Sequence, residues 1–357
     1  MTPGFWRDRR VLVTGHTGFK GGWLSWWLHR LGARVTGLAL DPPSVPSLFD
    51  SSGLGQAVRS VRMDVRDLGA MHGLLSEAQP EIVFHLAAQS LVREGYRSPV
   101  ETFQTNVVGT VHCLEAARAC PSVRAVVVVT SDKCYRDRGR RGPYAEEDEL
   151  GGEDPYAASK ACAEIATHAY RASYFSAGGA LGVASARAGN VVGGGDWAME
   201  RLVPDAMRAF LGGTPLVLRN PGATRPWQHV LEPLHGYLML AEALHAGREG
   251  AAQAWNFGPS PEEAASVAEL AEALAARWGA PASWRAETPS APPAEKEAAD
   301  LAVDSAKARS RLGWRARLPL AAAVDWIVDW HKRHAAGEHA RDLTLEQLER
   351  YEALCLQ

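Results

Sequence analysis

The sequence predicts an α/β protein built on a doubly wound parallel sheet, with a smaller C-terminal substrate-binding domain. Three observations predict it. Short apolar runs alternate with longer amphipathic segments through the first half of the chain, the order that builds a parallel sheet with right-handed crossovers. A glycine-rich turn, Thr14-Gly-His-Thr-Gly-Phe-Lys-Gly21, joins the first apolar run to the first amphipathic segment. Polar residues gather where the apolar runs end, and open parallel sheets bind ligands at the carboxyl ends of their strands.

The elements justify this in order. Residues 10–14 read as a short buried strand, and Trp23, Trp26, Trp27 and Leu31 mark one apolar face of the helix that follows. Gly15, Gly18 and Gly21 lie between strand and helix at every third position. The spacing is not G-x-G-x-x-G, but it supplies the same Rossmann-type turn. It allows close backbone approach to a pyrophosphate and aims a helix N-terminus at the anion. Thr17 and Phe19 share the turn and join the cofactor candidates. Lys20 sits at a helix start, where a cation is disfavoured. It either offsets phosphates or points to solvent.

Residues 33–40 form the second strand. Asp41 follows, twenty positions after Gly21, where a carboxylate grips ribose hydroxyls and repels the extra phosphate of NADP, so NAD is the expected cofactor. A third strand, 58–63, ends at Asp64-Val65, where a carboxylate is placed to receive an adenine amino group. A fourth, 81–86, ends in Leu86-Ala87-Ala88-Gln89. Its small residues let the cofactor backbone lie close, and Gln89 is a candidate substrate contact. A long helix over 100–119 leads to the fifth strand, 125–129, and then to Thr130-Ser131-Asp132-Lys133-Cys134-Tyr135.

One helix spans 155–175, with Pro155 suited to its first position. Tyr156 and Lys160 are four apart and share a face. The ammonium is expected to lower the phenol's pKa, so that Tyr156 exchanges a proton with a substrate hydroxyl while a hydride moves to or from a nicotinamide. Ser131 or Thr130 would hold that oxygen. Asp132 and Lys133 add an acid and an amine that a plain dehydrogenase does not need. After a sixth strand, 181–187, arginines are scattered through loops and short helices, and several near one cleft suggest a pyrophosphate clamp. Further helices are expected over 267–278 and 321–334. Thr344 and Gln347 suggest a capping box for a last helix, and 287–299 a surface loop.

Bulk properties exclude several classes. A formal net charge of -3 gives no reason to expect a nucleic-acid partner. Residues 1–10 lack a signal-peptide pattern, and no apolar run is long enough to span a bilayer. The five cysteines show no C-x-x-C spacing, so reduced thiols in the cytoplasm and no metal are expected.

Four strings, Thr14-Gly-x-x-Gly-Phe-x-Gly21, Leu86-Ala-Ala, Tyr156-x-x-x-Lys160 and Arg187-x-x-Asn190, resemble the extended short-chain dehydrogenase/reductase family over almost the whole chain. Longer strings are similar to its sugar-nucleotide 4,6-dehydratases: Thr130-Ser-Asp-Lys-Cys-Tyr135, Arg187-Ala-Gly-Asn-Val-Val-Gly-Gly-Gly-Asp-Trp197 and Arg225-Pro-Trp-Gln-His-Val-Leu-Glu-Pro233. The resemblance implies CDP-glucose as substrate and a three-step cycle. Tyr156 takes the 4-hydroxyl proton as hydride passes from C4 to NAD, water is eliminated across C5 and C6, and the hydride returns to C6. Asp132 would be the acid for the departing hydroxyl, with a pKa raised by burial. Lys133 would be either the C5 base or an electrostatic stabiliser of the enolate. Adjacent side chains on an extended segment face opposite sides, which would keep the two apart.

The resemblance further implies that Asn190, Arg201, Leu202, Arg219 and Arg225 hold the nucleotide diphosphate. It implies a homodimer through the 100–119 and 155–175 helices. Residues 1–187 would bind NAD, with 226–258 returning to that domain. Residues 188–225 and 259–340 would bind the sugar nucleotide, ahead of a C-terminal helix over 341–357. Rival readings are a dTDP-glucose or GDP-mannose dehydratase, a UDP-glucose 4-epimerase, and a non-catalytic NAD-binding regulator. Intact Tyr156 and Lys160 argue against the last.

Overall fold

The computed structural model describes residues 1–137, 139, 142–175, 181–260, 263–287 and 301–356. At its centre lie seven strands: β1 (Arg10–Thr14), β2 (Arg34–Ala39), β3 (Arg59–Arg62), β4 (Ile82–His85), β5 (Ala125–Val129), β6 (Gly182–Arg187) and β7 (Ala254–Asn256). Their order is β7-β6-β5-β4-β1-β2-β3, and every pair is parallel. The winding reverses between β1 and β4, which opens a crevice at the carboxyl ends of those strands.

Alternate residues face opposite layers. Val11, Val13, Phe84 and Val127 enter one core, and Leu12, Val83, Val126 and Val128 enter the other. Both faces are covered at the centre of the sheet, which is why β1, β4 and β5 read as near-continuous apolar runs, while the edge strand β3 does not.

The main helices are α1 (Phe19–Arg30), α2 (Leu68–Ala78), α3 (Gly109–Arg118), α4 (Pro155–Tyr174), α5 (Leu202–Leu211), α6 (Leu231–His245), α7 (Val267–Trp278), α8 (Leu320–Ala335) and α9 (Ala340–Cys355). The three tryptophans of α1 are buried, and each indole N–H has an acceptor: the Gly194 carbonyl at 2.9 Å, Ser52 Oγ at 2.8 Å and Glu352 Oε1 at 2.9 Å. The expected helix over 100–119 is continuous but not uniform. A helical turn at Pro99–Phe103 passes through a π turn, Gln104–Val108, into α3. That turn places Asn106, which donates to the Gln89 carbonyl and to Ser159 Oγ and so ties the end of β4 to α4.

A smaller apolar cluster joins Met207 and Phe210 of α5, Leu270 and Leu274 of α7, and Ile327 and Val328 of α8. The last helix starts earlier than the suggested capping box. Thr344 and Gln347 lie inside α9 and are buried, with Gln347 donating to the Trp326 carbonyl at 2.8 Å. Two polar residues three apart here fasten one helix to another. The true capping box, Ser266 with Glu269, starts α7. The Pro-, Ala- and Glu-rich stretch lies outside the described residues from 288 onward.

Candidate active site

A cleft of about 1690 Å³ runs along the carboxyl ends of the strands and under α5, and every cofactor, catalytic and substrate candidate named from the sequence lines it.

At the β1 end, the turn is shaped by close approach. A Cβ on Gly15 would lie 2.8 Å from the Ala87 nitrogen, and one on Gly21 would lie 2.1 Å from the Gly15 carbonyl oxygen. Gly18 is roomier, with only that oxygen nearby, at 3.4 Å. Leu86 and Ala87 therefore pack directly against the turn, with Ala88 lining the cleft beside them. Thr17 donates its hydroxyl to the Leu40 carbonyl at 3.0 Å, which holds the turn to the end of β2. This cradle at a helix N-terminus fits a dinucleotide pyrophosphate. Phe19 and Val65 line the same stretch.

Two carboxylates stand just past β2 and β3 at the cleft, and both have arginine partners. Asp41 is largely exposed and accepts from Arg62 Nε at 2.8 Å. Asp64 accepts from Arg66 Nε at 2.8 Å and from its backbone N–H at 2.9 Å, and the Arg66 side chain holds its carboxyl below the usual range. Sequence reasoning missed Arg62, which reaches Asp41 from the neighbouring strand.

The candidate catalytic residues gather at the end of β5 and the start of α4. Pro155 and Asp154 start α4, with Asp154 capping the Ala157 N–H at 2.9 Å, and this fixes Tyr156 at the cleft. Lys160 lies one turn on and donates to the Val129 carbonyl at 3.2 Å. The expected lowering of the tyrosine is not found. Burial pushes the Tyr156 phenol up to about 12, outweighing its hydrogen bond to Ser131, and burial likewise depresses Lys160 to about 8. The Thr130 hydroxyl is engaged elsewhere, donating to Glu164 one turn beyond Lys160 on α4. Ser131 lines the cleft with the phenol.

Asp132 and Lys133 do not lie on an extended segment. Residues 132–134 form a single 3₁₀ turn capped by Ser131, whose Oγ accepts the Lys133 N–H at 3.2 Å and donates to Asp132 Oδ1 at 2.9 Å. The two charged groups therefore interact. Burial raises the Asp132 carboxyl, opposed by Lys133, Ser131, Arg225 and Lys20. Its Oδ2 is buried without a hydrogen-bond partner among the described residues and lies against Gly189.

Lys20, undecided from sequence, does not point to open solvent. Its ammonium is 5.8 Å from the centre of the Tyr237 ring, and burial with repulsion from Lys160 and Arg201 lowers it to about 7. The signal was there: a cation at a helix start needs a reason.

On the opposite wall, Arg201 donates to Ser90 Oγ at 2.9 Å and Asp196 Oδ2 at 3.2 Å, bridging the two sides of the cleft at the start of α5, where Leu202 lies. Arg225 is buried and donates to the Thr224 carbonyl at 2.8 Å, while Arg219 is exposed at the rim. Arg208 instead braces the Trp197 and Ala198 carbonyls. Asn190 adopts a left-handed φ of 30° at the cleft wall. Gln89 has a structural task first, since its amide donates to Thr102 Oγ1 at 2.9 Å and accepts the Leu91 N–H at 2.5 Å.

A parallel sheet with a dinucleotide turn at β1 and a Ser-Tyr-Lys set between β5 and α4 defines an NAD-dependent enzyme of the extended short-chain dehydrogenase/reductase class. The chain belongs to that family, and within it the family model described as GDP-mannose 4,6 dehydratase matches residues 12–326. It is 46% identical over 338 residues to the CDP-glucose 4,6-dehydratase of Salmonella typhimurium, covering 94% of this chain and 93% of the relative. The solved dTDP-glucose 4,6-dehydratase of Streptomyces venezuelae with NAD and TYD bound superposes with a TM-score of 0.75 at 26% identity, covering 92% of this chain and 98% of that one. A UDP-glucose-4-epimerase of Stenotrophomonas maltophila shares the fold, with a TM-score of 0.79 at 23% identity over 93% of this chain and 100% of that one.

Proposed function

We propose that the protein is an NAD-dependent hydro-lyase that converts CDP-D-glucose to CDP-4-dehydro-6-deoxy-D-glucose and water. The observation that carries this is the Asp132–Lys133 turn, held by Ser131 beside Tyr156 in one cleft. An epimerase or a plain dehydrogenase has no use for a buried acid and an amine there. The choice of CDP rests on the similarity to the Salmonella enzyme.

NAD, when bound, supplies a hydride acceptor at C4 and returns that hydrogen at C6. The chain's own residues do the rest. Tyr156 and Ser131 handle the 4-hydroxyl proton, and the resulting 4-ketone makes the C5 proton acidic. Lys133 is the group placed to take the C5 proton and give it back. Asp132, protonated, gives its proton to the C6 hydroxyl, which leaves as water. Gly15, Gly18 and Gly21 cradle the cofactor diphosphate, Asp41 holds its ribose and Asp64 its adenine. Arg201 and Arg225 hold the substrate diphosphate, with Asn190, Leu202 and Arg219 around it.

We also read residues 1–187 with 226–258 as the cofactor domain and 188–225 with 259–340 as the substrate domain. Val100, Ile165 and Tyr174 are exposed on the helices over 100–119 and 155–175, and an apolar groove runs from Pro99 to Val108 beside Cys162. A homodimer burying these faces is the natural pairing, and sedimentation as a monomer at micromolar concentration would refute it. No described helix is long and apolar enough to cross a membrane, and all five cysteines are free thiols, which suits the reducing cytoplasm.

The test is mass spectrometry of purified protein with NAD and, separately, CDP-glucose, dTDP-glucose, UDP-glucose and GDP-mannose. Water loss from CDP-glucose alone is expected. Water loss from another nucleotide moves the specificity, and none from any overturns the dehydratase reading.

A further inference from the structure

Proton bookkeeping leaves a debt in the dehydration cycle. The C5 proton leaves and returns at the same carbon, and the C4 hydrogen reappears at C6. The proton lost from the 4-hydroxyl therefore has no destination on the sugar, while the C6 hydroxyl needs one proton to leave as water. Each turnover must move a proton from the Tyr156 side of the site to the Asp132 side.

The structure contains a path between them. Ser131 and Tyr156 line the same cleft, with the serine hydroxyl close enough to stabilise the phenolate, and Ser131 Oγ donates to Asp132 Oδ1 at 2.9 Å. A serine hydroxyl has one proton to donate and two lone pairs. One lone pair accepts the Lys133 N–H at 3.2 Å, which leaves the other for the phenol. Ser131 is thus oriented with its single proton aimed at the carboxylate. The backbone cap on the 3₁₀ turn holds it so. Of the Asp132 oxygens, Oδ1 has this bond and Oδ2 has no hydrogen-bond partner among the described residues.

We infer that Tyr156, Ser131 and Asp132 form a proton wire that carries the proton of the substrate 4-hydroxyl to the carboxyl that protonates the departing C6 hydroxyl. This rests on the dehydratase reading. At rest Tyr156 is a phenol, Ser131 an alcohol and Asp132 a carboxylate. As the C4–H bond breaks, the O4 proton moves to Tyr156 Oη, the phenol's own proton to Ser131 Oγ, and the serine's to Asp132 Oδ1. The sugar is now a ketone, Tyr156 and Ser131 are unchanged, and Asp132 is a carboxylic acid. That acid protonates O6, the C6–O bond breaks, and water leaves with Asp132 again a carboxylate. No outside acid or base is consumed.

The wire also resolves a difficulty with the tyrosine. Burial keeps Tyr156 protonated, which would disable it as a lone base. As a relay it never has to stay ionised. The charged and titratable groups facing Asp132 include Lys133, Arg225, Lys20, Tyr156, Tyr237 and Cys134, and those facing Tyr156 include Arg201, Asp132, Asp154 and Tyr237. Lys133, Ser131, Arg225 and Lys20 favour the resting carboxylate, while burial favours the acid. A group balanced in this way can both accept and release a proton.

The experiment separates C4 oxidation from elimination. Wild-type holoenzyme and D132N are mixed with CDP-glucose in single turnovers. Absorbance of the reduced nicotinamide reports oxidation, and an indicator dye reports protons released to buffer. If Asp132 is the far end of the wire, D132N slows oxidation by about tenfold or more. Its oxidation rate rises with pH, and one proton per site escapes to the buffer. Formate, a small carboxylate, restores oxidation to D132G. S131A shows the same slowing and pH slope, and S131T recovers most of the rate, which covers the case in which D132N fails to fold. Oxidation at the wild-type rate in D132N, without proton release, overturns the wire and leaves Asp132 as a leaving-group acid only. Slow oxidation in both D132N and S131A, with no pH slope and no formate rescue, also overturns it. Failure of wild type to release water from CDP-glucose is a separate result that removes the dehydratase reading itself.

Discussion

Gly189→Ala is the sharpest steric probe of the acid. Gly189 follows β6 and lies against the Asp132 carboxyl, so a Cβ there would fall 1.7 Å from Oδ2. Real Cβ contacts essentially never fall below 3.0 Å, so the carboxylate must retreat by about 1.3 Å. Its Oδ1 would then lose registry with Ser131. A misplacement of that size at a reacting group costs roughly 100-fold in rate, or about 2.7 kcal/mol. The Gly189 backbone is not in the left-handed region, so alanine strains only this contact. The assay is water loss from CDP-glucose, with bound NAD measured in parallel. G189A is expected to keep its cofactor and lose at least the stated factor in turnover. Gly73 serves as control: it is exposed within α2, with nothing near its Cβ position, and G73A should gain about 1 kcal/mol in stability with unchanged turnover. Full turnover in G189A would show that the Asp132 position does not matter, and the acid assignment would fall.

Other outcomes follow from the same geometry. Arg187 pairs with Glu164 at 2.8 Å, both buried, and the Ser185 hydroxyl adds a bond at 2.7 Å. R187M leaves a buried carboxylate unpaired and should cost about 3–5 kcal/mol in urea denaturation. Burial alone would raise Glu164, but Arg187 overcomes it and the carboxyl is held low. Its stabilisation is therefore present at neutral pH and lost as pH falls, and R187M should abolish that acid dependence. Glu232 is the opposite case. Burial pushes it up to about 7 from 4.5, so it favours folding most below pH 4.5, an advantage lost as pH rises through 7. E232Q should flatten the melting temperature between those pH values. R201A, which frees Ser90 and Asp196, should raise KM for CDP-glucose by roughly tenfold with a smaller change in kcat. K20M should remove a titration near pH 7 from the pH–rate profile while leaving bound NAD unchanged.

Local signals in the chain were enough to read the sheet. The central strands are short apolar runs, and the first six strands end in residues that line the cleft, so position along the chain implied position in space. Ser131, Tyr156 and Lys160 were legible for the same reason, being tied to one strand end and one helix start. What escaped depended on contacts between distant segments. The Tyr156 pKa is set by how deeply the cleft buries the phenol, which no local spacing reveals. Thr130 and Ser131 look equivalent in sequence. Glu164, a full turn beyond Lys160, takes one of them away. Thr344 and Gln347 fit a capping box by spacing but are pinned inside a helix by the Ala340 and Trp326 carbonyls. Gln89 reads as a polar residue at a ligand-binding strand end, and only the fold brings Thr102 to its amide. Lys133 was placed on an extended segment because one turn of 3₁₀ helix has no periodicity to detect.

The most direct test of the central claim uses CDP-glucose carrying deuterium at C4. A dehydratase that moves the C4 hydrogen within one bound sugar gives a product lighter by one water with the deuterium at C6, found by mass spectrometry and NMR. Deuterium retained at C4 with no water lost would contradict the account and point to epimerase chemistry on the same fold.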